Sequence, residues 1–161
     1  MKKIVVCGAP LVGKRTLVTG LAKESGVRTQ RFEVRDAKHQ APHIAIRLTL
    51  DDLVLETISG GVMHPSAWLT LLESASAAIM VLDALDAQME ACQKHLRDLA
   101  EALTPKPGCI VVSKRDLPNA KRSWLDVTAL SPPYAAWPRF TNSPGDFLKA
   151  LAELRHALQP A

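Results

Sequence analysis

The apolar run Ile4-Val5-Val6-Cys7 leads into Gly8-Ala9-Pro10-Leu11-Val12-Gly13-Lys14-Arg15-Thr16, after which Leu17, Val18, Leu21 and Ala22 recur at helical spacing. A β-branched strand, a glycine-bounded loop and a helix opening at a lysine leave few folds open. The glycines permit backbone angles that other residues avoid, so that N–H groups converge at the helix N-terminus. With the charge of Lys14, such a nest suits a di- or triphosphate. The plain alternative is a strand-to-helix turn in which Gly8 and Gly13 only relax the backbone and Lys14 is solvated. One position departs from the phosphate-loop pattern G-x-x-x-x-G-K-[ST]. Arg15 stands where a hydroxyl normally ligates Mg²⁺, so the loop reads as intact for phosphate and altered for metal.

Strands and helices alternate along the rest of the chain, the order that builds a mostly parallel sheet with helices on both faces. The stretch from Gly26 to His43 is polar and irregular. Ile44–Leu50 and Leu53–Ile58 read as strands joined at Asp51-Asp52 in a two-residue hairpin, which makes one antiparallel edge strand. Pro65–Ser74 reads as a short helix carrying Trp68, Leu69 and Leu72, and Ala77–Leu82 as a strand buried on both faces. Asp86–Leu103 is an amphipathic helix with Met89, Cys92, Leu96, Leu99 and Leu103 on its core stripe. Cys109–Val112 is a further buried strand, running into Ser113-Lys114-Arg115-Asp116. Prolines at 118, 132, 133 and 138 predict loops around at most one helical turn, before a strand near Arg139–Thr141 and a helix from about Pro144. The expected fold is a three-layer α/β/α P-loop architecture on a mostly parallel six-stranded sheet. Open sheets of this kind bind ligands at the carboxyl ends of their strands, where the clusters at 8–16, 57–61 and 113–116 fall.

A chain of 161 residues is expected to form one domain, 1–161, and no stretch approaches the ~20 apolar residues of a membrane span. Its start reads as a strand rather than a signal peptide. Cys7, Cys92 and Cys109 lie in apolar elements without metal-ligand spacing, so they read as reduced core thiols of a cytoplasmic protein. Most of the net charge of +4 sits between Val27 and Arg47, where five basic residues face Glu33 and Asp36. Phe32 alone interleaves that stretch, so a solvated or partner-facing loop is expected and nucleic acid is not.

The phosphate loop, the glycine turn after a hairpin strand and the later Lys-x-Asp together resemble the Ras-like small GTPases over essentially the whole chain. Thr57-Ile58-Ser59-Gly60 is similar to the variant motif of bacterial gliding-motility GTPases of the MglA type, in which Thr replaces Asp. Ser113-Lys114-Arg115-Asp116 resembles their base-recognition stretch. The EutP/PduV-like P-loop group is a second relative, similar in size and in its Ser-Lys-x-Asp. The resemblance implies GTP or GDP as ligand, with Gly8, Ala9, Pro10, Leu11, Val12, Gly13, Lys14, Arg15 and Thr16 around the phosphates. It implies that Asp116 accepts hydrogen bonds from the N1 and N2 edge of guanine while Lys114 packs its stem along the base.

Four departures bear on catalysis. Ser113 replaces an Asn that helps fix the base, Thr57 replaces the Asp that holds Mg²⁺ through water, and Gly61 stands where Gln orients the attacking water. Arg15 either neutralises phosphate itself or swings out and leaves Thr16 or water to complete a metal shell. No catalytic residue is assigned. Thr57, Gly60 and His64 are candidates by position, His64 also reading as a surface or helix-start histidine, and Thr29 is the one threonine of the 26–43 loop. The expectation is a switch or scaffold with slow or absent hydrolysis, read by protein partners at the 26–43 and 59–66 loops. The MglA-type resemblance adds a roadblock-domain regulator. A nucleotide-free pseudo-GTPase is the rival reading, and a P-loop small-molecule kinase the third.

Overall fold

The computed structural model describes residues 1–36, 42–58, 65–117 and 123–160. Among these residues seven strands form one sheet: β1 (Lys2–Gly8), β2 (Gln30–Arg35), β3 (Pro42–Leu50), β4 (Leu53–Ile58), β5 (Ala77–Asp83), β6 (Gly108–Ser113) and β7 (Arg139–Thr141). Their order across the sheet is β2-β3-β4-β1-β5-β6-β7. The strands from β4 to β7 pair in parallel, whereas β3 pairs antiparallel with both β2 and β4. The expected six strands are therefore seven, and the reversed strand is one place in from the edge. The missing strand lay in the polar stretch after the first helix. Of Gln30–Arg35 only Val34 is buried, so hydrophobic patterning is nearly silent there, and six pairings to β3 hold the segment extended.

Every residue of β5 is buried, as is β1 from Ile4 onward, as strands covered on both faces should be. Helices α1 (Lys14–Ser25) and α5 (Pro144–Ala157) pack on one face, and α2 (Pro65–Leu72) and α3 (Met89–Leu103) on the other. The hairpin between β3 and β4 turns at Asp51-Asp52, with Asp51 at φ 44°. Among its described residues the proline-rich stretch carries one short helix, α4 (Trp124–Val127), capped by Ser123, and a 3₁₀ turn at Tyr134–Ala136. Tyr134 donates its hydroxyl to the Leu96 carbonyl at 2.7 Å, which fixes that turn on α3.

The stripe on α3 is Cys92, His95, Leu96, Leu99 and Leu103. Met89 stays 37% exposed, because the helix only begins there after a 3₁₀ turn at Asp86–Gln88. Beneath α2, Glu56 of β4 is buried between Lys3 at 2.9 Å and Arg47 at 2.8 Å. Arg47 also lies over the Phe32 ring, 4.4 Å from its centre, so an ionic and an aromatic contact together tie β1, β2, β3 and β4. Among the described residues no helix is long and apolar enough to cross a membrane.

Candidate functional site

Strands β1, β4 and β6 run the same way, so Gly8, Thr57 and Ser113 close on one edge of the sheet. The loop after β1 needs both its glycines. A side chain on Gly8 would meet Val12 Cγ2 at 2.7 Å and the Val81 carbonyl at 2.9 Å. Gly13, at φ 103°, caps α1 without any side-chain bond. Leu11 is also left-handed, at φ 66°, and its side chain is 79% exposed. The first turn of α1 holds no acidic residue, so Lys14, Arg15 and the unpaired N–H groups of the helix end make one positive locus.

Lys14 is buried, and its ammonium donates to the Ala9 carbonyl at 2.7 Å and lies 5.6 Å from the centre of the Trp68 ring. Burial lowers its pKa to about 8. Arg15 and Thr16, one and two residues on, are exposed. On the far side of the loop, His95 of α3 accepts from the Gly8 N–H through Nε2 at 3.1 Å and meets Trp68 edge-on at 5.3 Å. Burial first, and then the charge of Lys14, push the His95 pKa down to about 4, which keeps the ring neutral and Nε2 free to accept. The Trp68 indole N–H is buried without a hydrogen-bond partner among the described residues.

The loop after β6 is fastened to the loop after β1. Ser113 donates to the Val12 carbonyl at 2.7 Å, and Lys114 donates to the Leu11 carbonyl at 3.0 Å and to Asp83 at 2.6 Å. Asp83, fully buried at the end of β5, also accepts from the Leu85 N–H at 2.8 Å. Lys114 itself is left-handed at φ 61°, and Asp116 is exposed beyond it. A cleft of about 360 Å³ opens where these loops meet, lined by Gly13, Thr16, Ser113, Lys114 and Asn142 and running on between α1 and α5.

Thr57 faces elsewhere. Its hydroxyl donates to the Val6 carbonyl at 2.7 Å and the residue is fully buried. Gly60, Gly61 and His64 lie outside the described residues, as do Lys38 of the basic stretch and most of the 59–66 loop. Of the other basic residues, Arg31 and Arg35 stand exposed on the edge strand β2.

Mg²⁺ prefers a set of hard oxygen ligands. Asp36 accepts from Ser66, Asp83 is held by Lys114, Thr57 is turned into the sheet, and Arg15 places a cation where a ligand would stand. Among the described residues no three acidic, histidine or cysteine side chains gather as a metal site. The described residues therefore do not fit the metal, and Thr16 alone offers an exposed hydroxyl in the first turn of α1.

His95, Asp83 and Asn142 were not among the residues singled out from the sequence. His95 could have been, since it falls on the α3 stripe between Cys92 and Leu99. Asp83 could have been noticed as the carboxylate ending an otherwise apolar strand. Asn142 carries no such signal, and only the pairing of β7 with β6 brings it beside Lys114.

The fold is that of the small GTP-binding proteins built on a P-loop. A solved structure of this kind is the ADP ribosylation factor-like GTP binding protein, small COPII coat GTPase SAR1, from Encephalitozoon cuniculi in complex with GDP. It matches over 98% of this chain and 79% of its own, with a TM-score of 0.67 at 17% sequence identity. In sequence, no family model and no curated protein matches the chain.

Proposed function

We propose that the chain, a single domain over 1–161, binds guanine nucleotide and works as a switch or scaffold with slow or absent GTP hydrolysis. One observation carries this reading: Ser113 and Lys114 bond directly to the carbonyls of Val12 and Leu11. A nucleotide must span from a phosphate nest to a base reader, and these bonds hold the two at a set distance. Lys14 would turn from the Ala9 carbonyl to the phosphate oxygens, and the exposed carboxylate of Asp116 would accept from the guanine N1 and N2 edge. The buried hydroxyl of Thr57 supports weak turnover, since it has no free path to the phosphates. Protein partners would read the 26–43 and 59–66 segments in the cytoplasm, and the MglA-type likeness adds a roadblock-domain regulator to them.

The test is the nucleotide that co-purifies, together with thermal shifts in GDP, GTP and ATP. A ligand at 100 times its Kd adds about 2.7 kcal/mol of stability. Guanine nucleotides are expected to give that shift and ATP to give none, and Asp116→Asn to remove the preference. A shift with ATP alone would discredit the role of Asp116. No shift with any nucleotide would favour an interaction module that binds none, and phosphoryl transfer to a small acceptor would favour a kinase.

A further inference from the structure

We infer that the chain holds a nucleotide polyphosphate without a divalent cation, the guanidinium of Arg15 supplying the positive charge that the metal would bring. The inference rests on the nucleotide reading above and adds to it a property of the same site. Arg15 lies on the first turn of α1, exposed, and it forms no ion pair among the described residues. No carboxylate stands in that turn to neutralise it or to attract a metal. Its fork of N–H donors matches phosphate oxygens in pairs, which a spherical cation does through water or direct ligation.

Three candidate oxygen donors among the described residues are already engaged. Thr57 is bonded to β1, Asp83 is bonded to Lys114 and to the Leu85 N–H, and Asp36 is only 1% exposed and bonded to Ser66. A divalent ion entering here would meet Lys14 and Arg15 at the positive end of a helix whose first turn offers one exposed hydroxyl, Thr16. The same charges attract a diphosphate directly. One electrostatic arrangement thus repels the cofactor and retains the ligand.

The experiment is a calorimetric titration of the full chain, stripped of nucleotide, with GDP, GTP and inorganic pyrophosphate, each in Mg²⁺ and in EDTA. Affinities are expected to agree within about threefold between the two conditions. Arg15→Ser is expected to weaken binding in EDTA by about tenfold or more, with Arg15→Lys in between because charge without the fork recovers part of the contact. Arg15 is exposed, so circular dichroism should show both variants folded as the parent is. Binding that collapses in EDTA, or an Arg15→Ser variant that binds as well as the parent there, overturns the inference and leaves the nucleotide reading standing. Absence of binding in both conditions overturns both.

Discussion

Replacing Lys14 with Met should make the nucleotide-free protein more stable while removing its ligand. Lys14 is a buried cation whose pKa has fallen from 10.5 to about 8, and at about 1.4 kcal/mol per unit that corresponds to roughly 3 kcal/mol against the charged form at neutral pH. Met leaves the buried Ala9 carbonyl without its donor, which offsets about 2 kcal/mol of this. Met fills similar volume with no charge, so the net gain is about 1 kcal/mol, or about 2–4 °C in Tm for a chain of this size. Urea or thermal denaturation of both proteins without nucleotide measures it. The sign also shows in pH. Between about 8 and 10.5 the unfolded chain keeps a proton on this lysine that the folded one has lost, so the parent gains on the variant as pH rises through that window. Cys7, whose thiol burial pushes up to about 12, titrates in both proteins and drops out of the difference to first order. Adding GDP should then reverse the ranking, because only the parent gains binding energy. A variant less stable than the parent by 1 kcal/mol or more would refute the account, since Lys14 would then be holding the fold together rather than waiting for an anion.

His95→Phe should cost about 1–3 kcal/mol by leaving the buried Gly8 N–H without its acceptor, and His95→Gln should cost less. Because the folded pKa is about 4 against an ordinary 6.5, the parent should lose about 3 kcal/mol as pH falls through that interval, a loss missing from His95→Gln in acid denaturation. Glu56→Gln takes away the buried charge and leaves Lys3 and Arg47 partly in water, so it should cost only about 1 kcal/mol in urea denaturation, and a loss of about 3 kcal/mol or more would refute that reading. Gly108→Ala puts a methyl 2.4 Å from the rigid Trp137 ring, so its Tm should fall by an amount matching about 2 kcal/mol, with Trp137→Leu restoring part of it.

Local chemistry was readable wherever a segment's own residues carry the signal. The alternation of apolar runs with helical stripes marked six of the seven strands, because a buried segment must repeat its apolar side chains at the period of its backbone. The two glycines and Lys14 stood out for the same reason, since a loop and the helix it opens are built from neighbours in sequence. Strand β2 had only a weak mark, its apolar residues being Phe32 and Val34 with Val34 alone buried, and it is held extended by the row of backbone partners that β3 offers. The site differs again. Gly8 meets His95 across 87 positions and Ser113 meets Val12 across 101, and nothing in either segment names the other. A sequence states which side chains are available, whereas sheet order states which of them share an edge. Thr57 shows the consequence: its position suggested a group near phosphate, and the pairing of β4 with β1 turned its hydroxyl into the sheet. Arg15 needed both kinds of information. Its identity was plain from the chain, and its exposure without an ion pair among the described residues emerged only once the chain was folded.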